Sequence, residues 1–188
     1  HKAQVSWKRI CPLLHPAEQK GTNEASKPGE LTVEHVSFAY EDGKKILEDI
    51  SFKAKPGQII GITGPVACGK STLGKAFLCE YPYEGQILFA GEELQKMEPA
   101  KRNGVVGYLG HDPELFHDTI ENNILLGEKK QAADFLRMVC LDQEVEEMPE
   151  KEQTMIGTGN VRLSGGQAQR LALARTLCHK KPILVLDD

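Results

Sequence analysis

No apolar run in the sequence is long enough to span a bilayer. There is no Cys-x-x-Cys pair, and the five cysteines, Cys11, Cys68, Cys79, Cys140 and Cys178, are scattered. That spacing offers no zinc or disulfide framework and suits a reducing environment. A basic excess is missing too: 23 Lys and Arg against 27 Asp and Glu leave a formal net charge of −4. A protein working on nucleic acid would carry a basic stripe, so no nucleic-acid partner is expected. Internal repeats and low-complexity tracts are absent. No signal-peptide pattern follows His1. The chain stops at "ILVLDD", directly on an apolar strand pattern, where domains usually trail into polar linkers. Both ends are therefore expected to be cuts in a longer protein.

What is present suits one sizeable domain of 188 residues. Residues 1–14 read as the tail of an amphipathic helix broken at Pro12, and 15–30, polar and rich in Pro and Gly, as a linker. "LTVEHVSFAY" alternates at Leu31 and Val33, slips phase, and resumes at Val36, Phe38 and Tyr40. That is a half-buried strand, paired as a hairpin with "ILEDISFKA". "QIIGIT", wholly apolar and β-branched, predicts a strand buried on both faces, as do "VVGYL" at 105–109 and "ILVL" before Asp187. "EGQILFAGEEL" predicts a further strand and turn. A helix is expected from about Gly69, with Leu73, Ala76 and Phe77 on one face. Residues 112–162 are mostly helical in pattern, and another helix starts at Ser164 with Leu171, Ala174 and Cys178 inward. The acidic run at 142–152 reads as a solvated helix end and loop. Antiparallel β pieces followed by strand–helix alternation argue an α/β domain with a mainly parallel core sheet.

Two glycine-rich stretches carry the chemistry. "GPVACGKST" matches G-x-x-x-x-G-K-[ST] through Gly64, Pro65, Val66, Ala67, Cys68, Gly69, Lys70, Ser71 and Thr72. An apolar strand pattern precedes it and an amphipathic helix follows, as a phosphate-binding P-loop requires. Converging N–H groups at a helix N-terminus would meet the charges of a triphosphate. Lys70 would reach the β- and γ-phosphates, and Ser71 would offer a hydroxyl to Mg²⁺. Asp187, at the end of an apolar strand, is the expected acidic partner for that metal. The second stretch is "LSGGQ", 163–167. A Ser-Gly-Gly helix start is an N-cap and also a second anion site.

A P-loop, "LSGGQ" and an apolar strand ending in Asp, in that order, resemble the ATP-binding cassette (ABC) family over residues 31–188. Among its members the chain looks most like the cassette of an exporter. "VSWKRICPLL" is similar to the end of a last transmembrane helix, "HDPELFHDTIENNILLG" to the segment after the glutamine loop, and "TMIGTGNVRLSGGQ" to the loop ahead of the signature. The resemblance implies a P-loop NTPase core, an N-terminal antiparallel β subdomain and a helical subdomain over about 112–175. Residues 1–30 would be the end of a transmembrane-domain helix and a linker. It implies a membrane exporter's ATPase domain on the cytoplasmic face of the cell membrane, with MgATP as cofactor. Tyr40 would stack on adenine. Cassettes pair head to tail, so Ser164, Gly165, Gly166 and Gln167 would meet ATP held by a second nucleotide-binding domain. Cys68, beside Lys70 in the loop, would be the first thiol to react and would be protected by ATP.

Three positions depart from the family pattern. Asp188 stands where a catalytic Glu is usual, one methylene shorter; a misplacement on the order of 1 Å can cost about a hundredfold in rate. His111 stands where a metal-contacting Gln is usual. Thr158 follows Gly157 where Glu is usual. Asp188, Lys70 and His111 are thus the candidate catalytic residues, and Ser71, His111 and Asp187 the candidate metal ligands. The first two departures both fall on the chain's own ATP site, while the signature is intact. That pattern resembles the slow member of an asymmetric pair and favours a heterodimer over a homodimer. A regulatory ATP-binding module and a soluble ABC protein are the alternatives.

Overall fold

A computed structural model describes residues 29–40, 43–157 and 159–187. The expected transmembrane-helix tail and nearly all of the linker, Thr158 and Asp188 lie outside the described residues. Among the described residues no helix is long and apolar enough to cross a membrane.

Strand β1, Leu31–Ala39, pairs antiparallel with β2, Lys45–Ala54, as the alternation predicts. The phase slip in the sequence is a bulge. The register of β1 on β2 shifts between Val33 and Val36, and His35 in the gap takes φ 51. The bulge lets Val33, Val36 and Phe38 all turn inward. On its other edge β1 pairs with β3, Glu84–Phe89, which turns into the short β4, Glu92–Glu93. The sheet order is β2-β1-β3-β4.

Helix α1, Lys70–Phe77, packs Leu73, Ala76 and Phe77 into the core of this sheet. The pattern predicts nothing for 95–104, where most of a 3-10 turn, Leu94–Lys96, and helix α2, Pro99–Val105, form. Helix α2 takes Val105 from the start of the expected strand. Strands β5, Val106–Leu109, and β6, Ile183–Leu186, then pair parallel.

Two expectations of burial need correction. Residues 58–63 form no strand, and Ile59 is 96% exposed and Ile62 51%. Strand β6 buries Ile183 but leaves Leu184 and Leu186 exposed. The reason is ladder geometry. A strand buried on both faces needs partners to close its hydrogen bonds and layers to cover it. Among the described residues β5 and β6 pair with each other, and no strand pairs with 58–63.

The second core belongs to helices α3, Ile120–Leu125, α4, Ala132–Met138, α5, Asp142–Glu146, and α6, Gly165–Cys178. Helix α6 is the spine, with Leu171, Ala172, Ala174 and Cys178 buried. Ile120, Ile124 and Leu136 close on it, each side chain contributing about 1.5–3 kcal/mol by leaving water. The run at 142–152 is largely solvated in its acids, with Val145 buried and Met148 partly buried against the same core.

Candidate functional site

The P-loop connects the exposed segment 58–63 to α1. Residues 64–68 are exposed, and Gly69 is buried as the N-cap of α1. Gly69 holds φ 96, and a Cβ there would lie 2.8 Å from the Ile46 carbonyl oxygen. Only glycine lets the loop turn so close to β2. The N-cap offers no side-chain hydrogen bond, and the first turn of α1 holds no acidic residue. The leading N–H groups and the positive end of the helix dipole therefore face an anion without internal competition.

Lys70 folds back over the loop. Its Nζ donates to the Gly64 carbonyl at 3.0 Å and the Pro65 carbonyl at 2.9 Å. The ammonium thus sits inside the ring of backbone that phosphates would enter. Cys68 Sγ lies 3.9 Å from the same nitrogen, and the residue is exposed.

The metal side is built by the parallel pair. Leu109 of β5 faces Leu186 of β6, and Asp187 N–H donates to the Leu109 carbonyl at 2.9 Å. His111 and Asp187 therefore leave the sheet at the same end, the carboxyl ends of both strands. Ser71 Oγ donates to Asp187 Oδ1 at 2.9 Å. A hydroxyl and a carboxylate are hard oxygen donors of the kind Mg²⁺ takes together with phosphate oxygens. Among the described residues no group of three His, Cys, Asp or Glu could hold a metal, so the remaining ligands would come from nucleotide and water. Tyr108 Oη donates to the other carboxylate oxygen, Asp187 Oδ2, at 2.7 Å. Burial, then the bond to Asp187, pushes the Tyr108 phenol well above its ordinary range, so it stays a donor.

Tyr40 lies at the end of β1, 45% exposed. Its ring meets Phe38 edge-on at 5.1 Å and Tyr81 edge-on at 6.4 Å. A half-exposed aromatic ring can offer a face to a flat base. Tyr81, after α1, is a member of this aromatic group that the sequence pattern does not reveal.

Ser164 caps α6 in a capping box: Gln167 N–H donates to Ser164 Oγ, and Ser164 N–H donates to Gln167 Oε1 at 2.8 Å. Gln167 Nε2 donates to Glu144 Oε2, and Arg170 Nη2 to Glu144 Oε1, each at 2.7 Å. Glu144 so fixes which way the signature amide points. Nothing in its surroundings of acidic residues marks it out in the sequence. Among the described residues no hydrogen bond or ion pair joins 164–167 to the P-loop. Helix α6 instead straps the segment after β5: Gln169 donates to the His111 carbonyl at 2.6 Å, and Arg175 to the Glu114 carbonyl at 2.7 Å.

Comparison with known proteins decides the family. The ABC transporter family profile matches residues 47–188. The chain belongs to the ABC transporter family. A probable multidrug resistance ABC transporter ATP-binding/permease protein of Bacillus subtilis is 36% identical over 177 residues, covering 91% of this chain and 30% of that protein. An ATP-dependent lipid A-core flippase of Burkholderia pseudomallei is 34% identical over 182 residues, covering 92% of this chain and 30% of the flippase. The structure of a bacterial Atm1-family ABC exporter with ATP bound matches with a TM-score of 0.77 at 30% identity, covering 86% of this chain and 29% of that one. The chain spans under a third of the length of these relatives. Its fold is that of an ABC nucleotide-binding domain: antiparallel N-terminal sheet, parallel pair and helical subdomain. In this ABC domain Ser71 meets Asp187, while Lys70 is bonded to carbonyls of its own loop. Tyr108 and Glu144 join the two motifs from outside them, and Asp188 lies outside the described residues.

Proposed function

We propose that the chain binds MgATP at 64–72 and powers export across a membrane by ATP-driven head-to-tail pairing with a second nucleotide-binding domain. The observation that carries this is the Ser71 hydroxyl 2.9 Å from the Asp187 carboxylate at the base of a P-loop with an uncapped helix start. Residues 64–72 cradle the phosphates through backbone N–H groups. Lys70 exchanges loop carbonyls for phosphate oxygens. Ser71 and Asp187 would hold Mg²⁺, which would supply positive charge to offset that of the phosphates. Tyr40 stacks on the base. Ser164 and the first N–H groups of α6 serve the nucleotide of the partner domain. The transmembrane domain is the other partner, and the chain works on the cytoplasmic face of the cell membrane.

Its own site hydrolyses slowly. Asp188 is one methylene short of the usual glutamate, and His111 replaces the flexible glutamine, so the attacking water is poorly oriented. These same two residues favour a second reading, a regulatory ATP-binding module with little turnover of its own.

Calorimetric titration with MgATP tests the binding step. The wild-type chain should bind, Lys70→Ala should lose at least tenfold in affinity, and Asp187→Asn should lose the metal dependence of binding. Equal affinities in all three would refute the reading.

A further inference from the structure

We propose that Tyr108 is a positioning residue for the metal-binding carboxylate: its phenol fixes the rotation of Asp187 so that one oxygen faces Ser71 and the metal position. The inference rests on the MgATP reading above.

The carboxylate torsion of Asp is broad and nearly two-fold, so rotamer preference alone does not orient it. Hydrogen bonds must. Asp187 Oδ1 accepts from Ser71 at 2.9 Å and Oδ2 from Tyr108 at 2.7 Å. These two donors are not equivalent. Ser71 is on the P-loop helix and is itself a candidate metal ligand, so its hydroxyl proton is redirected when a cation arrives. Among the described residues the Tyr108 hydroxyl bonds Asp187 and no residue of 64–72. Its bond to Oδ2 persists in the loaded site and becomes the fixed reference.

The ring is held for this role. Tyr108 stands on β5, one rung from the pair Leu109–Leu186, opposite Val185. A Cβ on Gly74 of α1, or on Gly110, would come within 3.2 Å of a ring carbon, so backbone crowds the ring on both sides. A side chain with two torsions, both packed, holds its hydroxyl at little entropic cost. The Asp187 backbone is tied to the same strand through Leu109. Main chain and side chain of the metal-binding residue are thus both referenced to β5.

Outer partners of ligating carboxylates typically shift metal affinity by about 10–100-fold when removed. The test uses the full chain with ATP and Mn²⁺ as a paramagnetic substitute for Mg²⁺. Mn²⁺ affinity is read by electron paramagnetic resonance, and ATP affinity is read separately in chelator. Tyr108→Phe should weaken Mn²⁺ by about tenfold and leave metal-free ATP affinity within about twofold. In an Asp187→Asn background the same change should cost nothing further, because the oriented group is gone. Mn²⁺ affinity within twofold of wild type in Tyr108→Phe overturns the proposal. So does a parallel loss of metal-free ATP affinity, which marks a merely structural ring. A wild-type chain that takes up no Mn²⁺ with ATP overturns the MgATP reading itself.

Discussion

Asn123 is wholly buried and polar, and it makes four hydrogen bonds. Its Oδ1 accepts from Phe116 N–H at 2.8 Å, and its amide donates to the Phe116 and Thr119 carbonyls at 3.0 and 2.9 Å. It gives the turn between β5 and α3 the bonds that secondary structure would otherwise supply. Asn123→Ala strips the Phe116 N–H of its acceptor and removes a wholly buried side chain, while the Phe116 and Thr119 carbonyls keep their bonds from the Asp118 and residue-123 N–H groups. It should destabilise the chain by about 2 kcal/mol, measured as a shift of the urea midpoint. Asn123→Asp keeps the acceptor for Phe116 but sets a buried carboxylate against carbonyl oxygens, and should cost at least as much. Residues of this kind were hidden in the sequence, where "IENN" reads only as a polar helix face. Lys70, Ser71 and Asp187 were legible because P-loop chemistry constrains residue type and spacing together. Tyr108 was not, since one aromatic on a short strand is ordinary core material until its hydroxyl is seen to have a carboxylate partner.

Helix α6 shows what one element can hide. Its capping box was readable from Ser164 and Gln167, three apart. Its hold on Glu144 was not, because the two meet across 23 residues of chain. The hydrogen bond from Gln167, then that from Arg170, keeps the Glu144 carboxyl below its usual 4.5. A group with a lowered folded pKa contributes fully above its unfolded value and loses that contribution as pH falls through the folded one. Amide protection at Gln167 and Ala168, corrected for intrinsic exchange, should therefore hold above pH 4.5 and drop below it. A Glu144→Gln chain, which cannot titrate, should show no such drop. The bulge in β1 was visible as a phase slip because alternation has a period of two and cannot absorb an extra residue unseen. Residues 58–63 show the reverse. Apolar composition reports that a segment seeks partners, and cannot report that the partners are in place.

At the scale of the whole molecule the described residues form two cores, one around the β1–β4 sheet and one around α6. The P-loop stands on the first and the signature on the second, so a head-to-tail pair would use both surfaces of each chain. Steady-state turnover of the assembled transporter tests the proposed inequality of the sites. Replacing Lys70 here should cost less than replacing the partner's P-loop lysine, and Asp188→Glu should raise turnover. Equal losses from the two lysines would end the idea of a slow site on this chain.

The strap from α6 to the segment after β5 carries a thermodynamic obligation. Gln169 and Arg175 fasten the signature helix to the backbone of His111 and Glu114, a few residues beyond the strand that orients Asp187. Anything that binds at Ser164 and tilts α6 must work against those two bonds. Linkage is reciprocal: a nucleotide that shifts the His111 segment from its own side must change, by the same factor, the affinity at Ser164. If the proposed ligands bind and move these segments, the two faces of this chain would share one free energy through the α6 strap, with no part for the β1–β4 sheet.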